Sequence, residues 1–380
     1  MEATVRVLVG HNGVVTAPDL AAMISDLEML VGVESPSNDL DALRESARVL
    51  STIIESRLGT APRIVSSPAG PHVHWSGGGE PKVLIVGHHD TVFPKGSLSR
   101  RPFTVADGRA TGPGVFDMKG GIVQAIHGVA SLADRSGVEI IITADEEIGS
   151  VHSQDLIVER ATACGAVLVF EPSADGGALK IARKGTGTFE VIVRGRAAHA
   201  GLEPEKGVNA LVEASSQVLA IDRFGRPEVG TTVTPTVSAS GTADNVVPAE
   251  ARVVVDVRVV EADERERVEA AFAGLTPTHA EAGIEVHGGF NRPPMPPTAS
   301  AWLFPLAVEV AESMDLPTIR GVAVGGGSDG NFTAAAGVPT LDGMGAVGGG
   351  AHADHEWIDV NRMPDRAMLV AGIVARLQAR

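Results

Sequence analysis

Three short runs of the chain are apolar at nearly every position: Val83-Leu84-Ile85-Val86-Gly87, Val138-Glu139-Ile140-Ile141-Ile142-Thr143 and Ala166-Val167-Leu168-Val169-Phe170. Continuous apolar runs of this length predict strands buried on both faces. Between and before them, apolar positions recur at helical spacing over 19–31, 39–58, 118–135 and 153–163. Asp19, after Pro18, is placed to cap the first of these helices, and Gly59 to stop the second. Strands alternating with helices predict an α/β layer with a mixed, mostly parallel sheet and flanking helices.

From about residue 185 the period changes. Thr188-Phe189-Glu190-Val191-Ile192-Val193-Arg194 alternates like a strand with one wet face. A helical pattern over 207–223, alternating runs at 231–239 and 250–260, a charged helix at 262–274 and a short strand near 284–287 follow. This β-α-β-β-α-β order predicts a two-layer α+β module over 185–292, inserted into a larger domain of 1–184 and 293–380. The cluster Arg292-Pro293-Pro294-Met295-Pro296-Pro297 reads as a stiff linker back. Helices at 300–314 and after Pro364 then rejoin the first domain. Nothing before Asp19 carries a readable signal beyond a strand or a loose arm.

At 380 residues, two domains are the expectation. The net charge of −16 argues against nucleic acid or an anionic membrane surface as a partner, since both are polyanions. No apolar run approaches a membrane span, and no secretory signal is seen, so the expected compartment is the cytoplasm. The single cysteine, Cys164, lies in an apolar stretch and reads as a buried structural thiol.

Chemistry concentrates in five segments: Gly87-His88-His89-Asp90-Thr91, Gly112–Gly121 with Asp117, Ala144-Asp145-Glu146-Glu147, Phe170-Glu171-Pro172 and Gly350-Ala351-His352. In an α/β sheet, ligands bind beyond the carboxyl ends of the strands. His88 and Asp90, Glu146 and Glu147, and Glu171 each follow one of the three buried runs, so one sheet edge collects them. Two imidazoles and three carboxylates in one cleft can hold two divalent cations with a water between them. One acid of the Glu146-Glu147 pair can bind metal while its neighbour acts as base, and Asp90 is spaced to orient His88. Each motif alone is ordinary. A His-x-Asp pair is common, and adjacent glutamates usually form a solvated helix face. His72, His74, His89 and His355 read as structural or solvated.

Taken together, these segments resemble, in order and over nearly the whole chain, the M20 metallopeptidase family and its glutamate-carboxypeptidase-like branch. The resemblance implies that His88 and Glu171 bind one ion, that Glu147 and His352 bind the other, and that Asp117 bridges them. It further implies zinc, with cobalt or manganese as alternatives, Asp90 as support for His88, Glu146 as general base, and a cis peptide after Asp117. The inserted module resembles the family's lid and dimerisation domain, which implies a homodimer. There His199 resembles the histidine that steadies the oxyanion across the dimer, Asn245 a substrate contact, and Arg292 the arginine that holds a substrate's free α-carboxylate. A planar guanidinium suits that task, because it pairs bidentately with a carboxylate. Gly325-Gly326-Gly327-Ser328-Asp329 matches a further loop of the family.

The implied substrates are N-acyl amino acids or short peptides, cleaved at an amide next to an amino acid with a free carboxylate. The glutamate-specific members carry a lysine shortly after the Phe-Glu-Pro segment. Here Ala178 or Leu179 stands there, and Lys180 falls on the opposite strand face. Glutamate preference is therefore not implied. Arg183-Lys184-Gly185 is similar instead to deacylase members. An N-acyl-amino-acid deacylase or a dipeptidase is thus the alternative enzyme reading, and an amino-acid- or peptide-binding protein on this fold the non-enzyme one.

Overall fold

The computed structural model describes residues 7–10 and 13–380, with side chains from Ala17 onward. Two compact units emerge. One carries the chain through Ala182 and again over Pro297–Val324 and Ser328–Arg380, and the other comprises Arg183–Pro296 and Gly325–Gly327. Val7–Gly10 and Gly13–Thr16 pair antiparallel within the stretch before Asp19, where the sequence allowed a strand or a loose arm.

The first unit is built on a six-stranded sheet. From one edge its order is Thr340–Leu341, Ala166–Val169, Val83–His88, Val138–Thr143, His72–Ser76 and Arg63–Val65. The first four run parallel, and the last two pair antiparallel. Every residue of Val83–His88 and Val138–Thr143 is buried, because apolar layers cover both faces. Alternate residues of a single strand serve opposite layers. Val83 and Ile85 join the large cluster formed with helices Leu20–Val31, Leu40–Leu58, Gly120–Ala130 and Met363–Gln378. Leu84 and Val86 face the smaller one with Ala161 and Cys164. Burial pushes the Cys164 thiol up to about 12, as suits a structural thiol.

The helix ends follow local chemistry. Asp19 accepts the Ala21 N–H, Asp39 accepts that of Ala42, and Gly59 closes the second helix in the left-handed conformation. A second small sheet orders Gly348–Gly349, Trp357–Asp359, Arg109–Thr111 and Thr104–Ala106, all antiparallel. It frames two of the chemical segments.

The second unit has a four-stranded antiparallel sheet in the order Thr232–Ser240, Glu250–Val259, Gly185–Arg194 and Gly283–Arg292. Helices Ala210–Ile221 and Ala262–Ala273 cover one face. Its core gathers Val191, Val193, Val253, Val255 and Val257, with Phe189 stacked on Phe272 at 4.0 Å between ring centres. The last strand runs to Arg292, further than its weak alternation predicts. After an irregularity between Thr186 and Gly187, Arg292 still pairs with Thr186, so it ends a strand rather than beginning a linker.

Candidate metal centre

His88 ends the central strand, Glu146 and Glu147 open a short turn after Val138–Thr143, and Glu171 follows Ala166–Val169. All three strands are parallel, so these groups share one sheet edge. Asp117 follows Arg109–Thr111, and His352 lies between Gly348–Gly349 and Trp357–Asp359. Two sheets thus feed one cluster.

Among the described residues, two groups present donor atoms mutually within 4.8 Å: His88, Asp117 and Glu171, and Asp117, Glu147 and His352. Asp117 is common to both. His88 Nε2 lies 3.3 Å from Asp117 Oδ1 and 3.7 Å from Glu171 Oε1. His352 Nε2 lies 3.3 Å from both Asp117 Oδ2 and Glu147 Oε2. Asp117 Oδ1 and Glu147 Oε1 are buried without a hydrogen-bond partner, as oxygens that await a cation would be. The mixed carboxylate–imidazole donor set suits divalent cations, so the residues fit such a group.

The charges behave accordingly. Burial opposes charge on His88, but the carboxylates of Asp117 and Asp90 beside its ring, with that of Glu146, outweigh it and hold the ring protonated well above the ordinary imidazole range. Asp117 and Glu147 hold His352 up at about 10. Against burial, the two imidazoles hold Asp117 far below the usual carboxylate range. A ligating imidazole must be neutral, so cation binding here is coupled to proton release.

Asp90, fully buried, organises its neighbours. The His88 Nδ1–H donates to its backbone carbonyl at 3.0 Å, which leaves Nε2 facing Asp117 and Glu171. Its carboxylate accepts the N–H groups of Glu146 and Glu147 at 3.3 and 3.2 Å. The Asp145-Glu146-Glu147 turn therefore hangs on the same residue that orients His88. Glu146 is half-buried and belongs to neither donor group, although its charge acts on His88. The Asp117–Met118 peptide is cis. At Glu171 the backbones crowd. Gly345 donates its N–H to Glu171 O at 2.9 Å, and a Cβ on Gly345 would lie 2.7 Å from that oxygen. A Cβ on Gly121 would press on the carbonyl oxygen of Phe170.

A model of the peptidase family M20/M25/M40 matches residues 84–376. The chain belongs to this family. Carboxypeptidase G2 of a Pseudomonas species is 31% identical over 376 residues, which cover 94% of this chain and 90% of that protein. Succinyl-diaminopimelate desuccinylase 2 of Shewanella loihica is 30% identical over 52% of this chain and 59% of its own. An M20-family metallo-carboxypeptidase from Sulfolobus solfataricus superposes with a TM-score of 0.76 at 17% identity, covering 94% of this chain and 99% of that one. This M20 chain is accordingly a metal-dependent hydrolase of amide or peptide bonds.

The fold of this M20 hydrolase also shows what the sequence hid. Ser37 Oγ donates to Asp90 Oδ2 at 2.7 Å, and nothing in Pro36-Ser37 announces it. Glu356, four residues after His352, accepts the N–H groups of Gly114, Phe116 and Asp117, each at 2.8 Å. Burial pushes its carboxyl up to about 7 against the pull of those amides. The extra histidines are placed elsewhere. His89 contacts Ser46 and the Pro71 carbonyl, His74 meets Glu139, and His72 accepts the Ala144 N–H.

In the second unit, His199 and Asn245 are brought together. Ala200 donates its N–H to Asn245 O at 2.8 Å, and His199 bridges to Val246. Both side chains are exposed. His199 Nδ1 accepts the Gly201 and Leu202 N–H groups at 3.1 and 3.2 Å, which puts the ring proton on Nε2. Arg292 is buried at the end of its strand, with Nη1 donating to Asn291 Oδ1 at 3.0 Å.

Proposed function

We propose that this M20 hydrolase is an exopeptidase of the glutamate-carboxypeptidase type, cleaving an amide whose leaving amine is an amino acid with a free α-carboxylate. The observation that carries the reading is the pair of donor groups sharing Asp117, with Glu146 on the same turn as Glu147 yet outside both groups. His88 and Glu171 would hold one cation, Glu147 and His352 the other, and Asp117 both. Zinc heads the candidates, although such a donor set also accepts cobalt and manganese. When bound, the cations acidify water and polarise the scissile carbonyl.

The chain's own residues do the rest. Asp90 orients His88 and the turn that bears the base. Glu146 takes the proton from the attacking water and returns it to the departing nitrogen. His199, its proton on Nε2, donates to the developing oxyanion. Arg292 pairs with the substrate α-carboxylate, and Asn245 makes a second substrate contact. The identity to carboxypeptidase G2 over 94% of the chain supports this branch.

His199 in this reading acts across a homodimer formed through the second unit. In support, the edge strand Thr232–Ser240 has an exposed second half, and Leu211, Val212, Leu219 and Val237 of that unit are exposed as well. Among the described residues no helix is long and apolar enough to cross a membrane. The compartment we propose is the cytoplasm, in keeping with a single buried cysteine. A non-catalytic binding protein falls with the family membership. N-acyl-amino-acid deacylation remains a second reading, favoured by the desuccinylase relatives.

The test is a panel of N-acyl amino acids and dipeptides given to the metal-reconstituted protein, each side of the bond varied separately. Cleavage should vanish with EDTA and return with zinc, cobalt or manganese. It should also demand a free carboxylate on the leaving side. Equal turnover of carboxyl-amidated substrates would remove the exopeptidase reading, and selection on the acyl side alone would favour the deacylase.

A further inference from the structure

Asp117 and His352 are remote in sequence and reach the site from different loops. The strands behind them are neighbours, since Trp357 pairs with Thr111 and Ile358 with Ala110. Glu356 stands immediately before the first of these strands, and Gly112–Asp117 immediately after the other. Its carboxylate crosses between the two loops. Oε2 takes the Gly114 N–H, and Oε1 takes those of Phe116 and Asp117. Two neighbouring amides are met locally, Val115 by Gly112 O and Lys119 by Gly114 O. At its own end, the Glu356 N–H donates to Ala353 O, and Ala353 to Gly350 O, so the turn that carries His352 is tied to the same residue. Glu356 is 1% exposed, and a carboxylate so deeply buried is costly unless its oxygens are fully used. A carboxylate that served the fold alone could meet any three amides. These three lead into and include the residue common to both donor groups.

We propose that Glu356 is a positioning residue that clasps the Asp117 and His352 loops together and so sets the spacing of the two cation sites. The proposal rests on the two-cation reading. Because the clasp acts on Asp117, its loss weakens both sites and not only the one that includes His352. A glutamine at 356 keeps one carbonyl oxygen for Phe116 and Asp117 but turns an amide group toward the Gly114 N–H. It is therefore a partial clasp, whereas alanine is none.

The experiment is zinc and manganese titration of the metal-free protein and its Glu356→Gln and Glu356→Ala variants, by calorimetry and by chelator competition at fixed pH. Circular dichroism and metal-free melting serve as fold controls. Both binding steps should weaken about 10-fold in Glu356→Gln and about 100-fold in Glu356→Ala, the range usual for residues that orient metal ligands. If the alanine variant does not fold, the glutamine variant carries the test. A purely structural role predicts a lowered metal-free melting temperature with unchanged cation affinity, and that result would overturn the proposal. Weakening of a single binding step would overturn it too. Wild-type protein that fails to take up two cations would instead defeat the reading beneath it.

Discussion

The two units hold the side chains proposed to act in them under different conditions. In the first, His88, Asp90 and Asp117 are buried, and their partners come from distant parts of the chain, such as Ser37 for Asp90 and Glu356 for the Asp117 loop. In the second, His199 and Asn245 are exposed and held by backbone contacts between two short segments. Chemistry at a metal centre needs donors fixed before the substrate arrives, which burial and long-range hydrogen bonds supply. Contact with a substrate needs groups that remain accessible. Arg292 departs from the pattern, being a buried charge in the second unit.

The comparison breaks first at Glu146. Glu146→Gln should retain cations at wild-type affinity while kcat falls by about 10³-fold or more, in the upper range for a general base. Turnover close to wild type would remove Glu146 from its role and with it the division between holding metal and moving protons. Next comes His199→Ala, for which a loss of about 10²–10³-fold in kcat is expected of an oxyanion donor. Mixing that variant with Glu146→Gln should restore part of the activity through heterodimers. No recovery under proven subunit exchange would place the histidine in its own subunit's site.

The smallest effect sharpens the contrast from the other side. Glu213, buried in the second unit, accepts from Thr278 N and Oγ1, His279 N and Gln217 Nε2. Burial raises its carboxyl, but these four donors win and hold it down at about 2. A depressed acid stabilises the fold above its unfolded pKa, and that contribution fades as pH falls from about 4.5 toward 2. Melting followed from pH 6 to pH 2.5 should decline more steeply in wild type than in Glu213→Gln. The variant should be about 1–3 kcal/mol less stable at pH 6, the scale of hydrogen bonds to a charged group, with kcat unchanged. Parallel curves would show that Glu213 contributes nothing through its charge.

How much of this was legible in the sequence divides along the same line. Val83–His88, Val138–Thr143 and Ala166–Val169 are apolar throughout because both of their faces are covered, so their positions and the shared edge could be read directly. The helix from Leu40 to Leu58 announced its own ends through Asp39 and Gly59. Glu356 and Ser37 could not be found that way. Their partners lie more than 50 residues off, and an isolated acid or serine carries no period. The strand Gly283–Arg292 was read short because its outer half lacks clean alternation: His287, Gly288 and Gly289 interrupt it, and pairing with Gly185–Arg194 supplies what local pattern does not.

The crowding at Glu171 bears on inheritance. Any missense change in the codons for Gly121 or Gly345 adds at least a Cβ, and each would strike a main-chain oxygen of Phe170 or Glu171, so the backbone beside Glu171 would have to shift. In a saturation library of this gene, missense changes at those two codons should survive selection for activity far less often than changes at exposed Val151.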